Sequence, residues 1–375
     1  MIIVRHLLGP LDIDLGLLRD ELPLTFDFDG PPPDPQRTAL IALGKSARFM
    51  LFRFLATHPA YATARSIVIF PAGLTDDLAL PSQALLIPST HPRLTEKSFA
   101  AGRALIDFVT THANLDHFVC LLSGGASALV EQSDDPASHI AWWRDLLHAG
   151  LPIEEMNRRR IARSAIKGGK LTDFAPHSRF STFVMSDIPA ESGYRLAGSM
   201  PFWRDGDERL TLRCIADCTT LHRWYEEKLR SQGYKLAFSQ SRFAGTVAEL
   251  AALITTEKSR LTPGEALLIT GEPTLTVDIP HPGHGGRMAH LALLLTPELR
   301  DGETLYALSS DGIDGSSPHA GVIVTPEARK HFDLTLRDDH LARFDAYPFF
   351  ERYGCAVKTG YTGINLNDAV VITRG

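Results

Sequence analysis

The stretch His117-Phe118-Val119-Cys120-Leu121-Leu122-Ser123-Gly124-Gly125-Ala126-Ser127 reads as a strand buried on both faces that stops in a serine–glycine turn. Its apolar residues run on without alternation, as they do in parallel sheets covered by helices on either side. The pattern recurs outward from it. Thr38 to Leu43 is a strand running into Gly44-Lys45 and a helix from Ser46 to about His58. Ser66 to Phe70, Gln83 to Ile87 and Phe180 to Met185 read as further strands, with helices over Glu96 to Ala113 and Ile153 to Arg163 between them. Strand, turn and helix in alternation predict an α/β fold with a doubly wound sheet, its ligand groups at the carboxyl ends of the strands.

At 375 residues the chain is long enough for two domains, and the reading starts afresh after a polar, loop-like region from Trp203 to Arg213. Asp217 to Gln232 is a helix, and the stretch from Gly245 to about Glu257 is another. Strands follow at Ala266 to Thr270, near Thr274 to Ile279 and at Thr304 to Ser309, with an apolar helix from Met288 to Leu295. The expected domains are 1–240 and 241–375. Composition is globular, with 44% hydrophobic and 22% charged residues. A net charge of -6 argues against nucleic-acid partners, which call for a concentrated positive field. The opening Met1-Ile2-Ile3-Val4 is broken by Arg5, Asp12 and Asp14, so it predicts neither a leader nor a membrane span. Four scattered cysteines read as free thiols of a cytoplasmic protein. Self-association, as a homodimer for example, is left open.

Several motifs resemble familiar sites only in part. Gly44-Lys45-Ser46 lacks the first glycine of a P-loop, because Ala39 holds that position. What survives is a lysine in a strand-to-helix turn, either drawing in an anion or simply solvated. Ser123 to Ser127 is either a phosphate cradle or a tight turn, and Leu129 excludes a nucleophile elbow. Gly283-His284-Gly285-Gly286-Arg287 is no dinucleotide fingerprint, and His281, His284 and His290 do not share a helix face as zinc ligands would. Asp187, Asp311 and Asp314 sit where strands end, and hard carboxylates there suit Mg²⁺ as well as they suit turns.

Taken in order, the pieces resemble the type 2 glycerate kinase family, whose C-terminal half is called the MOFRL domain. They are Gly44-Lys45-Ser46-Ala47; His91-Pro92; Leu122 to Leu129; Asn157 to Leu171; Gly271-Glu272-Pro273-Thr274; Gly283 to Arg287; Ser310 to Gly315; and Lys358-Thr359-Gly360 with Thr362-Gly363, Asn365 and Asn367-Asp368. The resemblance implies a Rossmann-like N-terminal domain, a smaller α/β C-terminal MOFRL domain and an active site in the cleft between them. It further implies transfer of phosphate from ATP, with Mg²⁺, to the 2-hydroxyl of D-glycerate or a related short hydroxy acid. On that likeness Lys45 and Arg287 are catalytic, and Ser123, Gly124, Gly125, Ser127, Lys167 and Arg160 bind the nucleotide or anionic ligand. Asp187, Asp311 and Asp314 hold the metal or accept the hydroxyl proton.

This sequence also departs from the family pattern. Met288-Ala289-His290 stand where the family has Asn-Gln-Glu, Gly198 to Pro201 where it has Ser-Gly-Pro-Thr, and Thr95 near the place of an aspartate. Residues 1–37 match no corresponding region. A catalytically silent member that binds a nucleotide or acid is the alternative these changes raise. A hydroxypyruvate reductase would require a nicotinamide site, for which the sequence carries no fingerprint.

Overall fold

The computed structural model describes residues 11–74, 77–147, 149, 151, 153–191 and 193–375. Met1-Ile2-Ile3-Val4 and Arg5 lie outside them. The chain forms two compact units: residues 23–217 with 363–365, and residues 11–22 with 218–362 and 366–375.

In the first unit six strands form one sheet: β1 Thr38–Leu43, β2 Arg65–Pro71, β3 Leu85–Ser89, β4 His117–Ser123, β5 Arg179–Met185 and β6 Leu210–Ala216. Their order is β3-β2-β1-β4-β5-β6, and every neighbouring pair is parallel. This is the doubly wound arrangement, and its strand order reverses between β1 and β4. All six residues of β1 and the last six of β4 are buried, as the apolar runs require. Ile41, Ile69, Leu105, Phe118, Phe180 and Val184 belong to one core. The helix Ala47–Thr57 packs on β1, β2 and β4. The helix Glu96–Thr111 starts in a capping box in which Thr95 accepts from Lys97 N–H at 3.2 Å. Thr95, near the place of the family's aspartate, therefore serves as a helix cap.

The second unit holds β7 Lys235–Phe243, β8 Glu265–Gly271, β9 Glu303–Ser309, β10 Gly321–Val324, β11 Ala356–Val357 and β12 Asp368–Arg374. Their order is β11-β10-β9-β12-β8-β7. Only β7 and β8 are parallel, and the other pairs are antiparallel. The C-terminal β12 lies in the middle, paired with β8 on one edge and β9 on the other.

Two expectations need correcting. Residues 210–216, inside and just beyond the expected loop, form the edge strand β6, in which Thr211 and Arg213 alternate with apolar residues. Thr274 to Ile279 is no strand, and only Thr274 forms a bridge, to Thr246. The expected domains are 1–240 and 241–375, and the compact units divide at 217/218. The helix Cys218–Ser231 and β7 join the second unit, because the helix packs on β7 and β8 and the two strands pair. The N-terminal stretch is also shared between units. Leu11, Leu15, Leu18 and Leu22 are buried in the second, where Leu11 N–H donates to the Tyr306 hydroxyl at 2.9 Å and Trp224 Nε1 donates to Glu21 at 2.7 Å. Phe26 and Phe28 instead pack edge-on to Phe183 in the first, with ring centroids 5.5 and 5.4 Å away.

The four cysteines are free thiols. Among the described residues no helix is long and apolar enough to cross a membrane.

Candidate active site

Two turns meet where the strand order reverses. Leu43 pairs with Leu122, so β1 and β4 end side by side. Lys45 N–H donates to Gly124 O at 2.8 Å, and Ser46 N–H donates to Ser123 Oγ at 2.9 Å. Gly44 has a φ of 128° and lies against Ser123, where a Cβ would collide. Gly124 is equally confined, because a Cβ there would strike the Asp187 carboxylate. Over Gly125 lie His91 and Lys45, with His91 Cδ2 2.9 Å and Lys45 Cγ 3.1 Å from the position of an added Cβ. Lys45, Ser123, Gly124, Gly125 and Asp187 thus come together at the carboxyl ends of β1, β4 and β5.

Two further residues belong to this cluster. Burial, reinforced by Lys45, pushes His91 down to about 4, so its imidazole is neutral at pH 7. Asn365 Nδ2 donates to Asp187 Oδ2 at 2.8 Å. Both lie in motif pieces named above, but nothing in their local pattern assigns them a partner.

Ser127 is tied in by its hydroxyl. Its Oγ is 3.1 Å from Ser199 Oγ, which donates to Asn157 Oδ1 at 2.7 Å. Lys167 lies elsewhere than expected of a nucleotide ligand. Its side chain is wholly buried, its ammonium donating to Glu131 and to Val130 O, the latter at 3.2 Å. Burial lowers its pKa, and Glu131 works against that. Glu131 also accepts from the Ser164 hydroxyl and from Gln132 N–H at 2.9 Å. The Lys167 ammonium is committed to this internal pair. Arg160 is 8% exposed and stacks on Trp143, its guanidinium carbon 4.2 Å from the ring centroid.

In the second unit Arg287 opens the helix Arg287–Leu295. Its Nε donates to Asp368 and its Nη1 to Glu272 at 3.2 Å, and Asp368 also accepts from Ser309 Oγ at 2.6 Å. Burial alone would lower the arginine's pKa, but the two carboxylates outweigh it and raise it. Asp314 sits beneath the start of the same helix, wholly buried. It accepts from Met288 N–H at 3.1 Å, Ala289 N–H at 2.9 Å and Tyr347 O–H at 2.8 Å. Burial pushes its pKa up to about 6, and Asp368 adds to the rise. The metal role expected of Asp314 is therefore replaced by that of a buried helix cap, with three donors on its carboxylate. Asp311 is half-exposed, and its Oδ1 accepts from Ile313 N–H at 3.0 Å. Among the described residues no three of His, Cys, Asp and Glu come together as a metal-holding group.

Met288 and Ala289 are 0% exposed in the second unit's core, and His290 stacks on Phe344 at 4.9 Å. The family's polar triplet is thus replaced by side chains that pack inward.

Residues 17–231 match a family described as a domain of unknown function, DUF4147, and residues 265–368 match the MOFRL family. A glycerate 2-kinase of Sulfurisphaera tokodaii is 30% identical, covering 90% of this chain and 90% of its own length. A glycerate 2-kinase of Picrophilus torridus is 26% identical, covering 90% and 88%. The crystal structure of a glycerate kinase from Thermotoga maritima superposes with a TM-score of 0.77 over 91% of this chain and 93% of that one, at 21% identity. The chain belongs to the type 2 glycerate kinase family, whose enzyme class is that of phosphotransferases with an alcohol group as acceptor.

Proposed function

We propose that this protein transfers the γ-phosphoryl group of ATP to the 2-hydroxyl of D-glycerate or a closely related short hydroxy acid. The observation that carries the reading is the meeting of Gly44-Lys45 with Ser123-Gly124-Gly125 at the point where the strand order reverses. Open parallel sheets bind ligands at that point, and a glycine backbone lets phosphate oxygens approach closely. Phosphoryl transfer asks little covalent chemistry of the protein and much positioning of positive charge. Lys45 supplies a cation beside the glycine turn. The neutral His91 next to it adds no competing charge. Arg287, its fork oriented by Asp368 and Glu272, is the second proposed stabiliser of charge on the transferring group.

Mg²⁺ suits the donors on hand, because it is commonly held by one or two carboxylates together with phosphates. Asp187, beside Gly124 and steadied by Asn365, would hold it, with Asp311 a second candidate. The ion would offset phosphate charge there.

The changes at residues 288–290 do not favour the silent-member reading, since Met288 and Ala289 face the core. The test is incubation with Mg-ATP and D-glycerate, with the product read by ³¹P NMR. Formation of 2-phosphoglycerate supports the reading. A 3-phosphate product, or ADP release independent of any C3 or C4 hydroxy acid, overturns it.

A further inference from the structure

β3 ends in a segment that carries His91 over the glycine turn after β4. Ser89, wholly buried at the end of β3, donates through its Oγ to Leu129 O at 2.7 Å, which ties that strand end to the chain just past the turn. Thr90 Oγ1 lies 2.7 Å from Thr95 Oγ1 and 3.1 Å from Ser98 Oγ, so the next residue is tied to the capping box of the helix Glu96–Thr111. His91 follows directly on these two anchors. A Cβ on Gly125 would stand 2.9 Å from His91 Cδ2 and 3.1 Å from its Nε2, so the Nε2 edge of the ring closes over the turn. Lys45 flanks the same glycine and acts electrostatically on the imidazole. Among the described residues neither ring nitrogen of His91 makes a hydrogen bond within the protein.

A half-buried ring nitrogen without a partner gives up hydration for nothing in return, unless a ligand supplies the missing group. The neighbours say what that group is. The Lys45 ammonium can only donate, and it repels a second cation. A ligand that satisfies both side chains must accept from each, so it is an anion with more than one oxygen. Gly44, Gly124 and Gly125 line the place with bare backbone, which suits the bulk and close approach of a phosphate. An imidazole carries an N–H in either protonation state. A phosphate oxygen, which only accepts, selects the tautomer with its hydrogen on Nε2.

We infer that His91 donates an Nε2–H hydrogen bond to a phosphoryl oxygen of the ligand held at the turns after β1 and β4, and that the Thr90–Thr95 hydroxyl pair is its positioning support. His91 adds a directional contact to the point charge of Lys45. Thr95 serves twice, as the cap of its own helix and as the anchor of the segment that carries the ring. This inference rests on the kinase reading above for placing phosphate at the turn, but phosphate binding tests it without turnover.

The experiment is isothermal calorimetry with Mg-tripolyphosphate, which presents the phosphate chain of ATP without the nucleoside. It is run on the full-length parent, His91→Gln, His91→Phe, Thr95→Val and the double variant His91→Phe with Thr95→Val. His91→Phe keeps a ring without a donor and should weaken binding by about 10–100-fold, the scale of a hydrogen bond to a charged group. His91→Gln keeps an N–H donor and should recover most of that loss. Thr95→Val should weaken binding in the parent and add nothing in His91→Phe, because it acts through the ring. Thermal unfolding establishes that each variant is folded. In ¹H–¹⁵N spectra of the parent, the His91 imidazole signal, identified by its absence from His91→Gln, should move when tripolyphosphate is added.

A parent that does not bind tripolyphosphate overturns the inference, as does a folded His91→Phe that binds it within about twofold of the parent. A loss in Thr95→Val that adds in full to that of His91→Phe overturns the positioning role of Thr95. Tripolyphosphate binding that depends on His91, with no phosphorylation of any hydroxy acid, would sink the kinase reading and leave this hydrogen bond standing. Phosphorylation of D-glycerate with tripolyphosphate affinity unchanged in His91→Phe would do the reverse.

Discussion

Lys45 and Asp314 mark the limit of what single residues disclose. A lysine after a buried strand and glycine reads locally as an anion ligand or as a solvated side chain, and only the fold shows it beside Gly124 and Gly125. Aspartate in Ser310-Asp311-Gly312-Ile313-Asp314-Gly315 has the same local signature whether it binds metal, closes a turn or caps a helix. Its partners, Met288, Ala289 and Tyr347, lie 25 or more residues away along the chain. Asp314→Asn should therefore leave the Mg²⁺ concentration for half-maximal rate unchanged and lower stability by about 1–3 kcal/mol, through a misfit cap and an unsatisfied donor. A shifted Mg²⁺ requirement would restore the metal role. The loss should also vary with pH. Asp314 has a folded pKa of about 6, against an unfolded value near 4. The stability this group contributes is thus full below about pH 4 and lost as pH rises through 6. The destabilisation by Asn, from denaturant melts, should shrink between pH 4 and 7. Arg287→Ala should cut kcat/KM by about 10²–10³-fold, on the scale of one lost charge stabiliser. A rate near that of the parent would remove Arg287 from the mechanism.

Elements were legible where their apolar signal was continuous and hidden where it was short or shared. β1, β4 and β5 read directly from the chain because both their faces are buried. β6 was missed because an edge strand carries polar residues on its exposed side. β12 was missed although Ala369-Val370-Val371-Ile372 is strongly strand-forming, because no turn signal follows it before the chain ends. Its position between β8 and β9 makes it structurally decisive. Deleting residues 368–375 should prevent the second unit from folding, as read by loss of cooperative unfolding and by rapid proteolysis. A variant that still unfolds cooperatively at the parent's midpoint would contradict this pairing. The buried Glu131–Lys167 pair was invisible to local pattern, its members being 36 positions apart. Lys167→Met alone should cost about 3–5 kcal/mol by stranding a buried carboxylate, and adding Glu131→Gln should return much of it. Denaturant midpoints for the two single variants and the double variant measure this; strictly additive losses would mean no coupling.

At the scale of the whole molecule, the ordered series of family motifs carried the identity, since no single motif matched a complete fingerprint. The sharing of residues 11–37 between two units could not be read, because segment composition does not reveal which core its leucines enter. The buried imidazoles set the expected response to acid. Burial holds His91 and His117 down at about 4 and lowers His222 and His290 as well. Stability from such groups is full above pH 6.5 and is lost as pH falls through their folded values. Asp314 acts in the opposite direction, a single carboxyl among the described residues against several histidines. The melting temperature should therefore fall as pH drops from about 6.5 to 4, and a flat or rising profile would show that these rings are not held neutral.

On the proposed function, the turns after β1 and β4 form the phosphoryl-transfer site with Lys45 as its cation. The most direct test is the rate of ADP release from Mg-ATP with saturating D-glycerate in Lys45→Ala beside the parent, both verified as folded. Loss of this cation should lower the rate by about 10²–10³-fold in the variant. A Lys45→Ala enzyme that releases ADP within twofold of the parent would contradict it.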